Sequence, residues 1–220
     1  MEAELVVRRI ERGDPFWPAQ VAVAAAIGLN FALPEAVTVG PTWLLPIVEG
    51  ILLAVLVTIA PRRATAHSRR RRRLSLAVVG VVSLANIASL VLLVHYLVAG
   101  GHVGGQRLIL AGAVLWATSV LLFAVWFWEM DRGGPVTRYT DPDTHPDFQF
   151  PQMENPQLAP PGWRPGFGDY LYVSVTNATA FSPTDTLPLT QTAKLVMAIQ
   201  SLTALLTIGL VIARAVNILG

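Results

Sequence analysis

The sequence predicts an all-α, polytopic integral membrane protein with five transmembrane helices and a re-entrant half-helix ahead of the last one. Three observations carry this prediction. The 220 residues are 53% hydrophobic and only 14% charged, against roughly 25% charged in an ordinary soluble domain. Apolar runs close to the roughly 20 residues that cross about 30 Å of hydrocarbon recur around 17–33, 43–60, 74–98, 107–128 and 195–213. Seven arginines crowd into "PRRATAHSRRRRRL" between the second and third runs, which marks that loop as cytoplasmic.

Taken in order, residues 1–16 form a cytoplasmic N-terminal segment. Leu5, Val6, Arg8, Arg9 and Glu11 have the spacing of a short amphipathic helix on the inner surface, and a solvated tail fits the same letters. Charges alternate there and no short apolar core precedes a small-residue cleavage site, so the first span is expected to be retained. Residues 17–130 supply four spans, with the basic cytoplasmic loop at 61–73. Pro34 and Pro41 close the first external hairpin, and Gly100, Gly101, Gly104 and Gly105 the second. Arg69, Arg70, Arg71, Arg72 and Arg73 are expected to meet anionic lipid headgroups, since no aromatic interleaving accompanies them to suggest nucleic acid. Residues 131–168 are proline-rich without apolar periodicity, and read as an irregular cytoplasmic connector that Phe148, Phe150, Trp163 and Phe167 pin at the membrane interface. The loop charges then place the N-terminus in the cytoplasm and the C-terminus outside.

Residues 169–220 hold the segment that does not fit a simple span. Asp169 to Phe181 is thirteen residues, about 20 Å of helix, and reaches only part of the way through a bilayer. Asp169 is expected to cap its N-terminus by accepting free amides, while Ser182 and Pro183 stop it. A half-helix ending in lipid returns through irregular backbone buried in protein or facing water, which is a re-entrant loop.

These residues resemble the pore region of potassium-channel-like proteins. Asp169 matches the helix start, Tyr172 and Ser174 its body, Thr179 the turn, Asp185 the acid after the filter and Pro188 the downstream proline. The resemblance implies a pore loop of Thr179, Ala180, Phe181, Ser182, Pro183, Thr184 and Asp185. Where the family has Gly-Tyr-Gly, this chain has Ser182, Pro183 and Thr184; proline fixes φ near −65°, so a potassium-selective filter is not expected. The loop also enters from the cytoplasm rather than from outside. Over its whole length the chain resembles a bacterial family of five-helix inner-membrane proteins, known as a domain of unknown function, at Asp169, Leu171, Tyr172, Ser174, Thr184, Asp185, Ala215, Val216 and Asn217. That resemblance implies the architecture and a bacterial inner-membrane location, and brings no activity with it.

Glu49 is an ionisable group inside the second span, and Asn30, Asn86 and His95 are polar groups in the first and third; interhelical bonding accounts for them, with Glu49 also a candidate coupling carboxylate. Asp143, His145 and Asp147 have chelating spacing, yet lack the glycine turn and further acid of a calcium loop, so no metal is expected. Cysteine is absent, which excludes disulfides and thiolate chemistry. No Ser-His-Asp set, phosphate-cradling glycine loop or catalytic carboxylate pair occurs, so neither an enzyme nor a cofactor is expected. Three functions remain. Several copies joining their loops would make a cation-permeable, non-potassium-selective channel for inorganic ions. A non-conducting protein would use the short helix as a plug and the basic loop to bind lipid or a partner. A small transporter would use Glu49.

Overall fold

The structure, a computed structural model, describes residues 14–38, 40–59, 68–98, 105–141, 143–179 and 185–219. The expected amphipathic segment at 1–13, most of the basic loop and the pore-loop residues Ala180, Phe181, Ser182, Pro183 and Thr184 lie outside them. The described chain is almost entirely helical: α1 Trp17–Asn30, α2 Leu44–Ile59, α3 Ser68–Val98, α4 Gly105–Met130, α5 Pro135–Thr140, α6 Pro151–Glu154, α7 Phe167–Thr179 and α8 Gln191–Leu219. Strands β1 Phe148–Gln149 and β2 Leu187–Pro188 form one antiparallel pair, with Phe148 opposite Pro188 and Gln149 opposite Leu187.

Among the described residues, three helical stretches are long and apolar enough to cross a membrane: Arg72–Leu97, Gly105–Gly133 and Gln191–Val216. The first two apolar runs also become helices, but α1 has 14 residues and α2 has 16, about 21 and 24 Å. The run at 17–33 is cut at Asn30, where amides of Phe31, Ala32 and Leu33 turn back onto the carbonyls of Gly28, Leu29 and Asn30 ahead of Pro34. Pro18 sits in the first turn of α1, where its missing N–H costs nothing because that amide has no helical partner.

Helix α4 is the centre, touching α1, α3, α7 and α8. Other parts of the chain cover 67% of its apolar window but only 22% of that in α8. The uncovered face of α8 carries Leu195, Ile199, Leu202 and Leu206, spaced by three and four residues as one helical stripe. Helix α1 buries Ala19, Ala22, Val23, Ala26, Ile27 and Asn30 on the same repeat, and the small side chains let it lie close to α4. At Gly112 an added Cβ would run into Cγ2 of Val211, so the absence of a side chain sets how near α4 and α8 come.

The segment after α4 is more ordered than an irregular connector. The chain leaves α4 through a 3-10 turn, Asp131–Gly133, and Arg132 and Gly133 within it and Gly134 just after it take φ of 52°, 75° and 100°. These left-handed residues reverse the chain, and α5, β1 and α6 then fold back over the end of α4. Phe148, Phe150 and Phe167 are buried against Phe127, Trp128 and Tyr170, edge to face. Turns and short helices satisfy part of this proline-rich backbone, and the carboxylates of Asp131 and Asp147 take the amides of Phe148 and Arg132.

Helices α7 and α8 run parallel. Ser174 and Asn177 of α7 meet Gln200 and Ser201 of α8, while the start of α8 is tied back to the cap by β2 and by the bond from Thr190 to Asp147. Leu187 of β2 therefore lies back at the end from which α7 set out.

Candidate functional site

Chemistry in this protein concentrates at the junction of α4, the cap and α7. Asp14, just ahead of α1, is 1% exposed. Its carboxylate accepts from the Trp128 indole N–H (2.9 Å to each oxygen), from Nη2 of Arg138 (2.8 Å) and from the Phe167 amide (3.2 Å). The last bond caps α7 from a residue 153 positions away. Arg138 is itself 2% exposed; its Nη1 donates to the carbonyls of Trp128 (2.6 Å) and Asp131 (3.0 Å), and its plane lies over the Tyr170 ring. Burial works against the Arg138 charge, but the Tyr170, Asp14 and Asp131 oxygens outweigh it and its pKa is raised. The guanidinium stays charged.

Asp131 completes the lower half. Its Oδ1 accepts from the amides of Asp147 (2.8 Å) and Phe148 (3.3 Å), and Oδ2 from the Tyr170 hydroxyl (2.6 Å). Burial pushes the Tyr170 phenol well above its ordinary value, so it remains a donor. Asp147 then accepts from the Arg132 amide (3.0 Å) and the Thr190 hydroxyl (2.6 Å). One chain of bonds thus runs from Asp14 to the first residues before α8.

Sequence-predicted residues fall around this network. Asp169 occupies the third position of α7, and its Oδ2 accepts from the Gly166 amide at 2.8 Å, the acidic half of a capping box. The inward-facing amide at Phe167 goes to Asp14 instead, so the capping work is divided. Burial pushes the Asp169 carboxyl up, the Gly166 amide partly offsets this, and the Asp14 charge adds to it. Thr179 is exposed and bonds back to the Val175 carbonyl at 2.8 Å; Asp185 is exposed, two residues from β2. Tyr172 is exposed and Ser174 buried.

The polar face of α7 is closed within the chain. Ser174 Oγ donates to the Val120 carbonyl (2.7 Å) and accepts from Gln200 Nε2 (2.6 Å). Asn177 Nδ2 donates to Gln200 Oε1 (2.7 Å) and the Met197 carbonyl (3.0 Å), while its oxygen accepts from Ser201 (3.0 Å). Asn177 opens the only Asn-x-Ser/Thr sequon, and it is buried.

Glu49 is fully buried, and its Oε2 accepts from Asn30 Nδ2 at 3.0 Å, joining α2 to α1. Asn86 reaches the Leu115 carbonyl at 3.4 Å. Arg72 Nε donates to the Glu129 carbonyl (3.2 Å), and Arg73 is exposed; the side chains of Arg69, Arg70 and Arg71 lie outside the described residues. The bond from Arg72 puts the arginine run at the same end as the cap. No group of three metal-ligating side chains occurs among the described residues.

Asp14, Asp131, Arg138 and Tyr170 carry no spacing that marks them in the sequence. The one local signal is "DRGGP", a helix stop that implies the chain turns back on α4. Compared with known protein families, curated proteins and solved structures, the chain matches none, so the resemblances rest on the residues quoted for them.

Proposed function

We propose that this chain is a non-conducting, five-span membrane protein, cytoplasmic at its N-terminus and external at its C-terminus, whose α7 is a re-entrant helix held as a fixed plug. Its working surface is the arginine-rich cytoplasmic end. The observation that carries the plug is the closed polar face of α7: Ser174 and Asn177 spend their bonds on Gln200, Ser201 and the Val120 and Met197 carbonyls of the same chain. Groups that line a conduction path keep donors and acceptors open to ions and water; these are taken.

Several features support the membrane frame. Helix α7 has 13 residues, about 20 Å, and β2, the next described element, lies back at its starting end, as re-entrance requires. Trp17 at one end of α1, and Phe31 and Trp43 around its other end, are 63%, 57% and 56% exposed, the pattern of interfacial aromatic belts. Their separation matches a short, tilted or locally thinned crossing for α1 and α2. The apolar stripe of α8 suits contact with lipid or a second copy.

Liposome reconstitution with cation-flux measurement tests the plug. Neither the parent nor Asp185→Asn should pass ions above protein-free vesicles. Cation flux in the parent that Asp185→Asn abolishes would overturn the plug in favour of a channel. A reporter fused after Gly220 should read as external; a cytoplasmic reading would remove the five-span count.

A further inference from the structure

We infer that the cleft framed by Arg132, Arg138 and Arg164 binds a phosphate-bearing anion. The cleft has a volume of about 270 Å³, and three guanidinium side chains line it together with Gln152, Met153 and Trp163, with no carboxylate among the lining residues. Three acids of the network are engaged within the cap: Asp14 by Trp128, Arg138 and Phe167, Asp131 by Tyr170 and two amides, Asp147 by Arg132's main chain and Thr190. Arg138 is thus neutralised by Asp14 from behind the wall, while Arg132 and Arg164 face no carboxylate across it.

Arg132 and Arg164 are also short of acceptors. The side chain of Arg132 has one acceptor among the described residues, the Met153 sulfur at 3.8 Å, and a thioether is a weak one. Nε of Arg132 and Nε of Arg138 have none. Arg164 spends Nη1 on the Arg138 carbonyl (2.6 Å), stacks over Tyr139, and has no carboxylate within 4.0 Å among the described residues. Arg132 is the one non-glycine residue with positive φ among the described residues. Backbone of that kind persists where the surroundings enforce it, often at ligand sites.

Guanidinium forks match the oxygens of phosphate in pairs; Arg132 and Arg164 supply forks with donors to spare, and Arg138, whose Nη atoms are held by Asp14 and two carbonyls, adds only its Nε. Gln152 presents an oxygen with no partner; it suits the P–OH of a protonated phosphate, or, with the amide turned, becomes a further donor. A cleft of this size lies just below the range of about 300–1,000 Å³ for drug-sized ligands, enough for a headgroup and not for acyl chains. Met153 and Trp163 provide an apolar wall for the ester substituent of the phosphate. Arg72, bonded to the end of α4, brings the arginine run to this same end and raises the local positive potential. An anionic lipid headgroup and free phosphate share the chemistry recognised here.

The test uses the full chain in phosphatidylcholine nanodiscs, titrated with short-chain phosphatidate, and separately with inorganic phosphate, while Trp fluorescence and lipid retention in native mass spectrometry are followed. The parent should bind one of the two. Phosphatidate bound and not displaced by phosphate identifies the lipid; phosphate bound alone, or displacing phosphatidate, identifies the free anion. Arg132→Gln and Arg164→Gln should each weaken binding about tenfold or more, while Arg73→Gln, outside the cleft, leaves it within about twofold. Gln152→Glu removes no arginine and adds a carboxylate to the wall, so it should also lower affinity by about tenfold or more while thermal unfolding shows the fold intact. Absence of binding by the parent to either probe, or retention of affinity by Gln152→Glu and Arg164→Gln, overturns the inference. This inference shares with the plug only the membrane placement of the cap. Ion flux in a phosphate-binding protein would remove the plug alone, and a silent, phosphate-indifferent protein would remove only the anion site.

Discussion

Replacing Asp14 by alanine removes the sole counter-charge within salt-bridge distance, among the described residues, of a guanidinium that is 2% exposed. Breaking a buried pair from one side costs about 3–5 kcal/mol, because the remaining charge is left in a poorly polarisable interior. Two more donors lose their acceptor at once, the Trp128 indole and the Phe167 amide that starts α7, which places the loss toward the upper part of that range. For a chain of this size, 1 kcal/mol moves the unfolding temperature by about 2–4 °C, so the drop should be about 6–20 °C. Unfolding in detergent micelles, followed by tryptophan fluorescence at fixed scan rate, measures it. Adding Arg138→Met then removes the stranded charge. The double variant should lose less than the sum of the two single changes, with a coupling of about 1 kcal/mol or more. A loss below about 1 kcal/mol for Asp14→Ala, or additivity within about 0.5 kcal/mol, would show that the pair does not hold the cap to α4.

Gly112→Ala should lower stability by about 1–3 kcal/mol, since the new methyl meets Val211 Cγ2 and a β-branched side chain has few rotamers to yield; Val211→Ala in the same chain should restore most of the loss, and failure of that rescue would locate the strain elsewhere. Asp169 gives a pH test with a definite sign. Its folded pKa is raised, chiefly by burial, so the fold binds the proton more tightly than the unfolded chain does. Stability from this group is full below the unfolded value, about 3.9, and is lost as pH rises through the folded one. Asp169→Asn keeps an oxygen for the Gly166 amide, so it should be at least as stable as the parent at neutral pH, with the advantage vanishing on acidification. A variant less stable than the parent at neutral pH, with the deficit shrinking on acidification, would mean that the ionised carboxylate itself is needed.

The letters carry the helices well. Hydropathy alone locates the long helices among the described residues, because apolar length is a local property that no tertiary contact has to supply. The thirteen-residue α7 is legible for the same reason: its apolar run is too short and stops at Ser182-Pro183. Its start lies two residues earlier than the sequence suggests, since Asp169 looks like an N-cap and in fact reaches back from the third position to Gly166.

The cap is not legible. Proline-rich and aperiodic, 131–168 has no pattern that reports order, and its order comes from acceptors far away in the chain: Asp14 for Phe167 and Arg138, Asp131 for Tyr170 and Phe148. Glu49 illustrates the same division. The sequence sets a carboxylate inside an apolar run, and only packing supplies Asn30 as its donor. Sequence by itself determined which segments are apolar helix and where positive charge gathers, because both are sums over neighbours along the chain. Tertiary structure alone decided which buried charges meet and which wall the three arginines share, because those depend on distances between residues that the chain order keeps far apart.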